Sequence, residues 1–85
     1  MADEEMLDAL VRTVVESVAF FALSEASAID PDTATQQIEQ IFAILQTMDP
    51  ASKAEVARIV EKLRDADPKR HNFYDQFIEN LLADA

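Results

Sequence analysis

The chain predicts an all-α fold, a small four-helix bundle with one long helix, three shorter ones and short connections. Three observations lead there. Its 85 residues contain no glycine, which removes the residue that tight hairpins and phosphate-cradling loops rely on for positive φ. Asp-Pro occurs three times, at Asp30-Pro31, Asp49-Pro50 and Asp67-Pro68. Aspartate is a strong N-cap and proline suits the first helical position, so each pair marks a helix start or a turn. Between these marks the apolar residues recur at the helical period.

Taken in order, helix 1 is expected over about residues 3–28, with Leu7, Leu10, Val11, Val14, Val18 and Phe21 on one face. Helix 2 is expected over 31–48, with Ala34, Ile38, Ile41, Phe42, Leu45 and Met48. Helix 3, over 50–65, carries a narrower stripe of Val56, Ile59, Val60 and Leu63 among mixed charges. Helix 4 is expected over 73–83, where Tyr74, Phe77, Ile78, Leu81 and Leu82 form a core-facing arc. The chain is read as a single helical domain spanning 1–85. Connections of a few residues make neighbouring helices antiparallel.

Two stretches break the pattern. Helix 1 overhangs its neighbours, and over the overhang Phe20 and Leu23 point away from the main stripe while Glu25 falls close to it. Phe20 and Leu23 are therefore candidates for self-association. The second stretch is DPKRHNFYD (67–75), where Lys69, Arg70 and His71 would oppose the positive end of a helix dipole. The expected resolution is a turn at Asp67-Pro68, a basic loop, and a helix from Phe73 capped by Asn72. Lys69, Arg70 and His71 then form a candidate anion site near free N–H groups.

The net charge of −10 is uneven. Residues 1–29 carry six acids and one base, and residues 30–48 carry three acids and no base. Such a chain repels nucleic acid and anionic membrane, and suits a basic protein partner. The start, MADEEMLDAL, is acidic where a secretory leader would be basic, so a cytoplasmic protein is expected. The most apolar run, VVESVAFFAL, is short and holds Glu16, so no membrane span is expected.

Chemistry finds few residues to use. Cysteine is absent and the single histidine belongs to no Ser/His/Asp signature. His71, Asp75 and Glu79 share a four-residue spacing, but a bundle metal centre needs Glu-x-x-His pairs on facing helices. DPDTATQQIEQI begins like a calcium loop, yet lacks the mid-loop glycine and ends on Ile41. Acyl carrier proteins need a serine in an Asp-Ser-Leu context at a helix start, which neither DPDT nor DPAS supplies. The 34-residue period and signature residues of tetratricopeptide repeats are missing as well. No cofactor and no metal are expected, and the chain is read as a non-enzyme; Glu25 is the one carboxylate a catalytic reading would turn to.

Binding is thus the expected class. The first form is a small acidic interaction module that covers a basic partner protein, in the manner of an inhibitor, immunity protein, antitoxin or chaperone-type adaptor. Asp3, Glu4, Glu5, Asp8 and Glu16 are its candidate partner-facing residues. The second form is a homodimer or structural assembly built on the exposed apolar part of helix 1.

Overall fold

A computed structural model describes residues 2–25 and 27–83. Four α-helices follow one another, α1 (Ala2–Leu23), α2 (Pro31–Leu45), α3 (Pro50–Ala66) and α4 (His71–Leu82), with a 3-10 turn over Pro68–Arg70. Among the described residues there is no strand, and no residue has positive φ. The chain is a small all-α four-helix bundle.

The Asp-Pro pairs do two different jobs. Asp30 accepts a hydrogen bond from the Thr33 N–H at 3.0 Å and Asp49 one from the Ser52 N–H at 2.7 Å. Each satisfies a backbone donor that the first turn leaves open, and proline follows where its missing N–H costs nothing. Asp67 makes no such cap, and Pro68 opens the 3-10 turn, which closes through Arg70 N–H to the Asp67 carbonyl at 3.1 Å.

The helices form a loose ring in which α1 touches α2 and α3, and α4 packs chiefly on α3 and only lightly on α2. Val11, Val15, Val18, Phe42, Val56, Ala57, Ile59, Val60, Tyr74, Phe77 and Leu81 are buried at its centre. Phe42 and Phe77 meet ring to ring at 4.9 Å and join α2 to α4. The Gln46 side-chain amide adds a 2.9 Å hydrogen bond to the Asn80 carbonyl.

Several expected boundaries and faces move. Helix α1 ends at Leu23 instead of residue 28. The Ser24 hydroxyl bonds back to the Phe20 carbonyl, and the Glu25 carbonyl accepts from Ala28 and Ile29 N–H groups in a separate turn. That turn folds Ile29 back toward Phe21 and Ala34 and leaves Glu25 exposed; Ala26 lies outside the described residues. Helix α2 stops at Leu45, because Thr47 and Met48 donate to Ile44 and Leu45 in a closing turn that frees Asp49 to cap α3. Leu10 and Leu82, both expected in the core, are exposed, while Val15 and Ala19 are buried. The buried line of α1 is therefore rotated toward α3 from the one the sequence predicts.

Helix α4 starts two residues earlier than expected, at His71, and Arg70 stands in the N-cap position without a side-chain cap. Asn72 is inside the helix. The basic triplet is tolerated because acids come to it: Arg70 meets Glu16 of α1 at 3.2 Å and Asp67 at 3.9 Å, and His71 Nδ1 lies 3.1 Å from Asp75. Opposite charge close by offsets the repulsion of the helix dipole.

Candidate functional site

The acids and the apolar residues of α1 divide by face. At about 100° per residue, Glu4, Glu5, Asp8, Arg12 and Glu16 share one side of the helix. That side adjoins α3 and the 3-10 turn. Lys62 of α3 lies 3.5 Å from Asp8, and Arg70 pairs with Glu16. The second Asp8 oxygen, Oδ1, is shielded from solvent with no donor. Two of the five expected partner-facing acids are thus committed to seams inside the molecule. Asp3, Glu4 and Glu5 are exposed on the first turn and form no ion pair among the described residues.

The other sequence candidates are placed as follows. Phe20 and Leu23 are 61% and 53% exposed, and Phe20 packs edge-on against Phe21 at 5.5 Å. Phe20 sits beside polar neighbours, Arg12, Thr13, Glu16 and Ser17, on a shallow surface of α1. Arg70 is half-buried and engaged by the carboxylates of Glu16 and Asp67. The Tyr74 and Glu16 hydrogen bonds raise its affinity for its proton. An anion at Arg70 would have to displace those carboxylates. Lys69 is exposed, and His71 faces Asp75.

The site that sequence reading missed lies on the opposite side of α1. A crevice of about 160 Å³ opens between α1 and the end of α2, walled by Leu7, Leu10, Val11, Val14, Leu45 and Met48 and floored by Val56 and Phe77. Every wall is apolar. Leu10 of its wall is 57% exposed and Val14 half-buried; on the same two helices Met6 and Ile44 are 58% and 70% exposed and Ile41 is half-buried. Leu10 and Leu45 line the same crevice, and Ile44 precedes Leu45 on α2, on the arc it shares with Gln37 and Gln40.

The flanks of this face carry almost no charge. On the wheel they are Met6, Thr13 and Ser17 along α1 and Thr33, Gln37 and Gln40 along α2; Asp3 is the one charged residue in line with it. The Thr13 and Ser17 hydroxyls are occupied by the Ala9 and Thr13 carbonyls at 2.8 and 2.9 Å. A continuous apolar face flanked by neutral polar side chains has the composition of a protein interface centre, where charged residues are depleted. The signal was present in the sequence: Leu10 and Ile44 lie in the charge-poor arcs of their helices, with Asp3 the one exception.

Among the described residues no cluster of His, Asp or Glu is placed to hold a metal ion, and no helix is long and apolar enough to cross a membrane. Comparison with protein-family models, curated proteins and solved structures returned no match.

Proposed function

We propose that the chain is a protein–protein interaction module that docks a helical surface of its partner on the α1–α2 face. One observation carries the reading: an apolar crevice reaching Phe77, with exposed Leu10 on its wall and exposed Ile44 next in sequence to its Leu45, on helix arcs with almost no charge. Helix-in-groove recognition uses this arrangement, with anchors at i, i+3 or i+4 and i+7 entering an apolar channel. The role is binding, not catalysis. The test is methyl NMR of the protein mixed with an amphipathic Leu/Lys peptide of helical period. Shifts are expected at Leu7, Leu10, Val14, Ile41 and Ile44, and Leu10→Asp should remove them. Shifts confined to other methyls, or none, would sink the reading.

A second reading keeps the basic partner, seated on Asp3, Glu4 and Glu5. It is favoured by the exposure of these three carboxylates and their lack of ion pairs among the described residues. Inhibitor, immunity, antitoxin and adaptor roles all fit such a contact. Its binding would weaken steeply with salt, and neutralising the three acids would abolish it while Leu10→Asp would not.

A further inference from the structure

We infer that the occupant of the α1–α2 face is a second copy of this chain, in a two-fold symmetric dimer centred near Leu10 and Ile44. The inference rests on the docking reading and names its partner.

The first argument is area. The folded chain exposes 5795 Å², against about 5,050 Å² for an ordinary monomer of its mass. The surplus, roughly 750 Å², is close to the ~800 Å² that each partner gives to a standard interface. The extents of 41 × 28 × 22 Å describe an elongated body, which exposes more surface than a compact one of the same mass. The long helix α1 and the short helix α2 lie side by side and leave a broad flank uncovered.

The second argument is charge. A chain of net charge −10 repels its own copy unless contact is made where charge is missing. The α1–α2 face is such a place, because its flanks are Met6, Thr13, Ser17, Gln37 and Gln40. A basic partner finds little to read there. The carboxylates of α1 other than Asp3 point away, and Asp8 and Glu16 are held by Lys62 and Arg70.

The third argument is symmetry. A two-fold contact requires one patch to hold both complementary surfaces. Leu10 lines the crevice beside Leu45, and Ile44, next to Leu45 in sequence, lies on the exposed arc of α2. A two-fold axis passing between them sets Leu10 of each protomer against Ile44 of the other and buries both Met6 side chains alongside. Repulsion between the acidic protomers then acts only at longer range, where salt screens it. Dimerisation must therefore tighten with salt, the opposite sign from a basic partner.

Sedimentation equilibrium of the full chain tests this at high-micromolar concentration, at about 0.1 M and about 0.5 M NaCl. The expected result is a dimer that tightens at the higher salt. Leu10→Asp and Ile44→Asp should each weaken it by at least about tenfold, with unchanged helical circular dichroism. Both side chains are already more than half exposed, so the variants keep the fold. Phe20→Asp, off the face, should leave the dimer intact. A wild-type monomer at the higher salt would overturn the inference, as would a dimer broken by Phe20→Asp and indifferent to the other two. If the monomer still shows Leu10 and Ile44 methyl shifts with the Leu/Lys peptide, the docking reading survives with a different occupant. If it shows none, both fall.

Discussion

Helices α3 and α2 hold to the bundle by different means. Charge stitches α3 to its neighbours: Lys62 reaches Asp8 of α1 and Arg64 reaches Asp75 of α4 at 2.8 Å. Helix α2 makes no ion pair among the described residues. Its ties are the Phe42–Phe77 ring contact, its half-buried Ile38, Ile41 and Leu45, and the Gln46 bond to Asn80. Individual half-exposed ion pairs contribute little stability, but they fix which helices are neighbours and in which register. Apolar contacts stabilise more and specify less. The consequence is a bundle with a defined α1–α3–α4 side and an α2 that is attached by burial and one hydrogen bond, with no ion pair among the described residues, next to the proposed docking face.

The largest expected effect comes from cutting the apolar tie. Phe77 is almost wholly buried and floors the crevice, so Phe77→Ala should cost about 3–5 kcal/mol. Urea unfolding should show this as a large drop in midpoint, accompanied by earlier loss of α2. Native-state hydrogen exchange then sharpens the comparison. Amides of α2 should exchange through a partial opening that leaves α3 protected, because sub-global openings follow the weakest attachments. Equal opening free energies in α2 and α3 would break the contrast between them.

Two smaller changes separate capping from bridging. Asp30→Ala removes the N-cap of α2 and should cost about 1 kcal/mol, read as a lower urea midpoint. Arg64→Ala should lower thermal stability by less, and by less still at high salt, because Arg64 is only partly shielded and Asp75 more exposed. The smallest effect is in pH. The Ser52 N–H holds the Asp49 carboxyl below its ordinary value of 3.8. A depressed pKa means the contribution is complete above that ordinary value and is lost as pH falls through the depressed one. Asp49→Asn should flatten the acid limb of the stability curve there, measured by urea midpoints between about pH 5 and pH 2.

What the sequence revealed and what it hid follow the same division. The caps at Asp30 and Asp49 are local, set by residues three apart, and could be read directly. So could the buried face of α3, whose apolar stripe is narrow and charge-bounded, and that of α4 apart from Leu82, which is exposed. The face α1 buries could not. Its apolar residues run from Met6 round to Ala19, too wide an arc for two neighbouring helices to cover. Val15 joins Val56 and Val60 of α3 in the buried cluster while Leu10 stays exposed, and Lys62 of α3 holds Asp8 on that side of α1. The start of α4 was hidden for a similar reason, since the carboxylate that tolerates Arg70 belongs to Glu16, 54 positions away. The charge-poor arcs of Leu10 and Ile44 were legible, but that these residues face solvent and not the core appeared only with the rotation of α1.

The absence of left-handed backbone also matters to the unfolded chain. A protein of this length ordinarily holds about six glycines, and replacing a glycine by a side-chain-bearing residue at a compatible site stabilises by about 0.4–1 kcal/mol. The gain arises because the denatured chain has fewer conformations to surrender. Here, among the described residues, the corners are turned with right-handed or extended backbone, and three prolines stand at the helix connections. The denatured ensemble is stiffer than usual from the outset, which lowers the entropy that a thin core must overcome. That stiffness helps a bundle of 85 residues leave one apolar flank uncovered and still fold.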